Sequence, residues 1–266
     1  MSYENKEHIF LERRGPVATI VVNRPLVRNA INYAMWRVIR RFAADVESDQ
    51  SIRALILRGA GGEAFSAGAD IGEFERCRND SKQARVYSEA FDGALDAIWN
   101  LGKPVIAMID GVCVGGGLEL ACCADIRIAA EGGRFGIPTA RLGVLVGYRE
   151  MRRLVQLIGI GAASDILISA RIFNAEEALR IGLISRIVTH SDLEKTVYDL
   201  AADVAGMAPL IHREHKRIMR TVLENPSLSK LSPEQDALPF SSFDTEDFQE
   251  GRRAFLEKRR PVFKGR

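Results

Sequence analysis

The sequence predicts an α/β protein with one large domain, or a core with a smaller appendage. Short apolar runs bounded by Gly, Pro or Asp recur along the first 200 residues, with segments of helical spacing between them. A length of 266 residues with 47% hydrophobic residues is sufficient for a sizeable core. Beyond about residue 200 the pattern is purely helical, so we expect a core over residues 1–200 and a helical region over residues 201–266.

The chain begins with a predicted hairpin. The runs "IFLERR" and "VATIVV" alternate or concentrate β-branched residues around the turn pair Gly15-Pro16. After an Asn-Arg-Pro break, apolar residues recur at helical spacing from Ile31 to Val46. These signals predict two strands followed by an amphipathic helix.

Further strands and helices alternate through the middle of the chain. The apolar runs "RALILRG", "PVIAMID" and "DIRIAA" predict strands, and a helix is predicted around residues 84–99. From about Glu150 the strands thin out, and only the short run "ISRIVT" interrupts a series of helical segments. The last third carries the amphipathic "APLIHREHKRIMRTVLEN" and a final predicted helix near residues 245–258.

Composition and charge argue against several classes of protein. A formal net charge of +2 gives no support for a nucleic acid or an anionic membrane as partner. No window approaches the ~18 consecutive apolar residues of a membrane span, and the start "MSYENKEHIF" lacks the features of an export signal, so we expect a cytoplasmic protein. The four cysteines suggest neither a disulfide scaffold nor a zinc site, and we expect no metal.

Two glycine-rich turns are the main candidates for a functional site. They lie in "AFSAGADIGEF" (64–74) and "CVGGGLELAC" (113–122), each between a predicted strand and a helix start. Glycine allows left-handed dihedrals and close ligand approach, and free N–H groups attract negative charge. Neither turn matches the spacing of a nucleotide-phosphate motif. Two amides on separate turns can instead stabilise a carbonyl oxygen that becomes an enolate.

Glu119, which follows the second turn, is the candidate proton-transfer group. It lies one helical turn after the glycines, close enough to a bound carbonyl compound to move a proton at a neighbouring carbon. The helix start favours its charged form, whereas burial beside Leu118 and Leu120 favours the neutral form. In a structural alternative that the residues leave open, Glu119 caps its own helix or pairs with an arginine.

These turns, in this order and at this separation, resemble those of the crotonase superfamily, the enoyl-CoA hydratases and isomerases. The resemblance runs from "ATIVVNRPLVRNAIN" through "FSAGADI" and "KPVIAMIDGVCVGGGLELACCADIRIAA" to "RRAFLEKRRPVFKG". It implies a crotonase-like spiral of ββα turns, followed by a helical region that builds a homotrimer or a dimer of trimers. It also implies an acyl-CoA thioester as substrate, with no cofactor apart from the coenzyme A that the substrate carries.

The resemblance assigns roles to individual residues. The amides of Ala69 and Gly116 are implied to form an oxyanion hole, and Glu119 falls on the first of two catalytic glutamates of the hydratases. Phe255 and Lys258 match residues that reach the adenine end of coenzyme A from a neighbouring subunit. The implied contacts along the coenzyme A chain are Val27, Arg28, Asp70 and Ile71.

The chain departs from the family at the second catalytic glutamate. The turn that should carry this acid reads "FGIPTARLG" and has Thr139 at its place. A threonine can hold a water molecule but cannot act as a base near pH 7. In "VLVGYREMRRL" the bulky Tyr148, Arg149 and Glu150 replace a small, glycine-rich run, so we expect a reshaped acyl pocket that Tyr148 helps to line.

This departure weakens a plain hydratase assignment and leaves the reaction open. Glu119 alone could shift a double bond, and water held by Thr139 or Tyr148 could serve thioester hydrolysis or decarboxylation. A non-catalytic acyl-CoA binding protein is a further alternative. Glu150 is a candidate substitute acid, although a surface ion pair with an arginine is the favoured interpretation. For Arg141, a structural salt bridge is favoured over a clamp on a substrate carboxylate.

Overall fold

The computed structural model describes residues 8–266, so most of the segment used to predict the absence of an export signal lies outside it. Its strands are Ile9–Arg14 (β1), Val17–Val22 (β2), Ala54–Gly59 (β3), Ala64–Ser66 (β4), Val105–Ile109 (β5), Val112–Val114 (β6), Ile126–Ala130 (β7), Arg134–Gly136 (β8), Phe173–Asn174 (β9) and Arg186–Val188 (β10). Its α-helices are Tyr33–Ser48 (α1), Phe74–Cys77 (α2), Ser81–Asn100 (α3), Gly116–Ala121 (α4), Tyr148–Ser169 (α5), Ala175–Arg180 (α6), His190–Ala205 (α7), Pro209–Glu224 (α8), Pro233–Ala237 (α9) and Glu246–Leu256 (α10).

A six-stranded sheet with the order β1-β2-β3-β5-β7-β10 forms the centre of the fold. The hairpin of β1 and β2 is antiparallel, and the other neighbours are parallel. One face packs on α1 and α3, and the other packs on α7. Because both faces are covered, the central strands are nearly continuous apolar runs. The predicted hairpin and the predicted strands of this sheet are confirmed.

A smaller, four-stranded sheet with the order β4-β6-β8-β9 carries the two glycine-rich turns. Strands β4, β6 and β8 are parallel, and β9 closes the sheet as an antiparallel edge. The carboxyl ends of β4 and β6 therefore lie side by side, and each opens into one of the turns. The sequence analysis expected β4 and β6 but missed β8 and β9.

The helices begin and end at recognisable signals. Asn32 accepts a hydrogen bond from the Met35 amide at the start of α1, and Asp80 accepts one from the Gln83 amide at the start of α3. Helix α5 is interrupted at Gly159, whose φ of 74° and ψ of 161° are not helical. This break lies within the series of helical segments that the sequence predicts from about Glu150 onward.

The C-terminal helices contact the core through an ion pair whose lysine is buried. Lys216 of α8 is 6% exposed, and its Nζ donates to Asp125 Oδ2 at 2.6 Å and to the Lys103 carbonyl at 2.9 Å. No helix among residues 8–266 is long and apolar enough to cross a membrane. The predicted helical character of the last third is confirmed from α7 onward.

Candidate active site

The two glycine-rich turns touch each other through their backbones. Gly68 has a φ of +93°, and a Cβ there would lie 2.9 Å from the Val114 carbonyl oxygen and 3.0 Å from the Gly116 nitrogen. On Gly117 a Cβ would lie 2.6 Å from the Ser66 carbonyl oxygen. Only glycine fits such contacts without displacing backbone. The glycines therefore set the separation of the two turns.

A buried side-chain network holds the first turn in place. Asn29 Nδ2 donates to the carbonyl oxygens of Ala64 at 2.6 Å and Ala60 at 2.9 Å. Ser66 Oγ donates to the Asn29 carbonyl at 2.8 Å and accepts from the Gly68 amide at 3.1 Å. Sequence analysis missed Asn29 as an organiser of the site. Its φ of 57°, a left-handed conformation that asparagine tolerates well, is visible only in the structure.

Two neighbouring amides remain available at the junction of the turns. A Cβ on Gly116 would lie 3.4 Å from the Ala69 nitrogen, which places the two predicted oxyanion residues next to each other. Within residues 8–266, neither amide donates a hydrogen bond to a backbone carbonyl. Gly116 is the first residue of α4, where a helix leaves its amides unpaired. The two donors can therefore bind one external oxygen atom.

These amides open onto a cavity of about 1060 Å³. Its size is at the upper end of the usual range for small-molecule sites, which is roughly 300–1,000 Å³. The structure brings five of the eleven predicted site residues together in its walls, namely Ala69, Ile71, Gly116, Glu119 and Thr139. The predicted acid therefore shares one cavity with the predicted oxyanion donors.

The Glu119 carboxylate has no protein partner within the described part of the chain, where it forms neither an ion pair nor a side-chain hydrogen bond. The structural alternative, a helix cap or an arginine pair, is therefore not observed. Burial and, to a smaller extent, the Glu150 carboxylate raise the pKa of Glu119 to about 8, and Arg78 opposes the shift. The side chain is protonated over most of the neutral pH range and faces the cavity.

Glu150 is a cavity residue, and its interpretation as a surface ion pair is wrong. It is only 6% exposed, and no ion pair joins it to an arginine within residues 8–266. Its Oε1 is buried without a hydrogen-bond partner. Burial is the main cause that raises the pKa of Glu150, and the Asp92 carboxylate adds to the shift while Arg153 opposes it. The start of α5 therefore adds the Glu150 carboxyl group to a cavity that Glu119, Glu89, Asp92 and Asp96 also line.

Arginine ion pairs join the helices on this side of the cavity, at positions that the sequence did not indicate. Arg149 and Arg153, on the first turns of α5, both pair with Asp96 of α3. Arg141, in contrast, is exposed and forms no ion pair among the described residues. The prediction that Arg141 forms a structural salt bridge is thus wrong. The ion pairs on this side of the cavity are formed by Arg149 and Arg153 of α5 instead.

The other predicted substrate contacts lie outside the cavity walls. Asp70 is held by Arg24 Nη1 at 2.7 Å and caps the Gly72 amide at 3.1 Å. The Arg28 carbonyl accepts from the Ala67 amide at 2.8 Å, which joins this segment to the first turn. The predicted contacts with exposed side chains are Val27, Arg28, Tyr148, Phe255 and Lys258. Across residues 8–266 no group of three or more His, Cys, Asp or Glu residues is placed to hold a metal.

Comparisons with known proteins identify the family of this chain. The family model "Enoyl-CoA hydratase/isomerase" matches residues 12–266. The chain is 34% identical over 253 residues to the short-chain-enoyl-CoA hydratase of Clostridium acetobutylicum, across 95% of this chain and 96% of that protein. It is 35% identical over 263 residues to the crotonyl-CoA hydratase of Syntrophomonas wolfei, across 99% of each.

A solved structure shares the fold over nearly the full length. It is a crystal structure of an enoyl-CoA hydratase/carnithine racemase from Magnetospirillum magneticum, with a TM-score of 0.94 and 40% identity. The match covers 97% of this chain and 96% of that chain. The predicted family and the predicted crotonase-like fold are both confirmed.

Proposed function

Because the chain belongs to the enoyl-CoA hydratase/isomerase family, we propose that it processes an acyl-CoA thioester through an enolate, with Glu119 as acid/base. One observation carries this proposal. The adjacent amides of Ala69 and Gly116 have no backbone acceptor within the described chain and open onto the same cavity as the unpaired Glu119.

The proposed chemistry places negative charge on the thioester oxygen. When a proton leaves the carbon next to the carbonyl, or a nucleophile adds to a conjugated double bond, an electron pair moves onto that oxygen. The amides of Ala69 and Gly116 stabilise this charge with two hydrogen bonds. Glu119 exchanges a proton with the neighbouring carbon. No separate cofactor is needed, since coenzyme A is part of the substrate.

The coenzyme A chain is proposed to run along the segment that precedes α1 and along the first turn. Backbone hydrogen bonds hold these two together, including one from the Ile31 amide to the Gly68 carbonyl at 2.8 Å. The proposed contacts there are Val27, Arg28, Asp70 and Ile71. Phe255 and Lys258 are proposed to reach the adenine end of coenzyme A in a neighbouring subunit, for which the positive charge of Lys258 is suited.

We also propose a homotrimer, or a dimer of trimers, formed through residues 201–266 with residues 1–200 as the spiral core. Exposed apolar side chains are frequent in that C-terminal region, which is typical of a surface that becomes buried on assembly. They are Met207, Met219, Val222, Leu223, Leu228, Phe240, Phe243, Phe255, Leu256 and Val262. A cytoplasmic location belongs to the same proposal.

Thr139 favours one alternative reaction class. It lies in the cavity wall where the family resemblance places the second glutamate, and a hydroxyl group does not replace a carboxylate in acid/base chemistry. A reaction that uses Glu119 alone, such as isomerisation, hydrolysis or decarboxylation of a thioester, fits this substitution. A non-catalytic acyl-CoA binding protein fits it too, although binding alone has no need of an unpaired carboxyl group in the cavity.

The test incubates the purified protein with enoyl-, dienoyl-, β-keto- and malonyl-type CoA thioesters and follows products by mass spectrometry. We expect conversion of at least one thioester, and a kcat about 10²- to 10⁴-fold lower in Glu119→Gln, with coenzyme A ester binding retained. Conversion of none, together with equally tight binding by Glu119→Gln, would contradict the enzyme proposal and leave the binding alternative.

A further inference from the structure

Glu150 occupies a position at which the family resemblance assigns no catalytic acid. The resemblance places the second glutamate at Thr139, on the Pro138–Leu142 turn, whereas Glu150 lies on the first turn of α5. Nevertheless Glu119, Thr139 and Glu150 line one cavity. The chain therefore lacks the expected acid and carries another acid at the same cavity.

The surroundings of Glu150 are those of an unused acid rather than of a structural ion pair. Its Oε1 is buried and has no hydrogen-bond partner within residues 8–266. Arg149 and Arg153 both form their ion pairs with Asp96 rather than with Glu150. A buried carboxyl oxygen without a partner is costly, and a catalytic role is one physical explanation for such a group.

The backbone leaves space for this carboxyl group. Gly147 also lines the cavity, and a Cβ on Gly147 would collide with Glu150 Oε2. The φ of Gly147 is −71°, which any residue adopts, so its backbone conformation does not require glycine. Glycine at residue 147 therefore leaves room for the Glu150 carboxyl group.

We propose that Glu150 is a second catalytic carboxyl group, which acts with Glu119 to add water to, or remove it from, an enoyl-CoA thioester. This inference rests on the proposed acyl-CoA activity and selects hydration among the reactions left open above. In this proposal Thr139 lines the pocket and has no acid/base role.

The step conserves atoms and electrons. The water oxygen bonds to the β-carbon while ionised Glu150 takes one of its protons. The π electron pair of the double bond moves toward the thioester oxygen, where the amides of Ala69 and Gly116 stabilise it. Glu119 then gives its proton to the α-carbon and the carbonyl is restored. One water is consumed, and the two carboxyl groups still hold one proton between them.

The electrostatics of the cavity agree with this division of roles. Two carboxylates that interact cannot both ionise easily, so they titrate in two steps and share one proton near neutral pH. Burial and the Glu150 carboxylate raise the pKa of Glu119 to about 8, which suits Glu119 as the group that gives a proton. Burial and the Asp92 carboxylate raise the pKa of Glu150 as well. In the proposed step the shared proton starts on Glu119, and Glu150 is the base.

The test separates hydration from simple enolate formation. Hydration of crotonyl-CoA needs both carboxyl groups, whereas exchange of the α-protons of butyryl-CoA with D2O needs only Glu119 and the two amides. In Glu150→Gln we expect hydration to fall about 10²- to 10⁴-fold, with α-proton exchange within about threefold of the parent and KM little changed. Glu131→Gln, an exposed glutamate outside the cavity, is the matched control and should leave both rates unchanged.

A second variant tests the same group without removing it. Gly147→Ala should displace the Glu150 carboxyl group and lower hydration, yet add little to the loss in Glu150→Gln, because both changes act on one group. Additive losses in the double variant would overturn the inference.

Other outcomes also decide the matter. If Glu150→Gln hydrates crotonyl-CoA at the parental rate, or loses hydration and exchange equally, Glu150 is not a second catalytic carboxyl group. If the parent exchanges the butyryl-CoA protons without hydrating crotonyl-CoA, the inference fails while the proposed function stands. A parent that converts no thioester and exchanges no protons contradicts both.

Discussion

The two sides of the cavity differ because one presents backbone groups and the other presents side chains. The oxygen-binding side is backbone, formed where the turns after β4 and β6 meet at contact distance. The opposite side consists of side chains on the Pro138–Leu142 turn and on the start of α5, including Thr139 and Glu150. An amide is present at any non-proline residue, so the first side depends on packing. The side formed by side chains depends on the identity of individual residues. A substitution there can therefore change the reaction while the backbone side stays the same.

The largest expected effect comes from disturbing the backbone side. Gly68→Ala would place a Cβ against the Val114 carbonyl at 2.9 Å, in a residue whose φ is +93°. Because rigid backbone must shift, the two amides separate, and we expect kcat to fall about 10²- to 10³-fold in the thioester assay. The melting temperature should fall as well, since strain of this kind costs about 1–3 kcal/mol.

Gly132→Ala is the matched control for this variant. Gly132 has no positive φ, and a Cβ there would meet nothing within 4 Å. Its activity should equal that of the parent. Full activity in Gly68→Ala would mean that the oxygen is not held at the junction of the turns.

A smaller effect is expected from restoring an acid on the side-chain side. In a Glu150→Gln background, Thr139→Glu returns a carboxyl group to the cavity at the position that the family resemblance indicates. We expect crotonyl-CoA hydration to rise about tenfold over Glu150→Gln alone, a part of what one acid/base group supplies. Glu131→Gln in the same background is the control. An unchanged rate would show that the two positions on this side are not equivalent.

The smallest expected effect concerns stability. The pKa of Glu119 is about 8 in the fold, above the ordinary 4.5, so the folded chain binds a proton more tightly than the unfolded chain. The stabilisation from this neutral carboxyl group is complete below about pH 4.5 and is lost as the pH rises through about 8.

The Glu119→Gln variant removes this dependence. Its melting temperature should be close to that of the parent at pH 5 and several degrees higher at pH 9, because only the parent must keep a carboxyl group protonated, or bury its charge, at pH 9. Calorimetry at the two pH values measures it. Parallel pH curves for the two proteins would show that Glu119 ionises normally in the fold.

The sequence predicted the large sheet and the first side of the cavity better than the second side. Both faces of that sheet are covered, so its strands are nearly continuous apolar runs, and these runs predict β2, β3, β5 and β7. Strands β8 and β9 are only 3 and 2 residues long, and their pairing depends on partners far along the chain. No local pattern reports such pairing.

The burial of Glu150 could not be predicted for a similar reason. At the start of a helix, between arginines, a glutamate is usually a solvated residue. Its exclusion from water depends on how α5 packs against α3, and this packing involves Asp96, more than fifty positions away in the chain. Glu119, in contrast, follows a glycine pattern that was recognisable by itself.

The interruption of α5 at Gly159 has a consequence for protein engineering. With φ at 74° and ψ at 161°, this residue adopts a conformation that is essentially restricted to glycine, so the helix on either side follows a separate axis. The later segment is anchored to the core by Ala163 and Ile166, and the earlier one by Leu154. A library that varies the cavity-lining residues Val144, Leu145 and Val146 should therefore keep Leu154 and Gly159 unchanged.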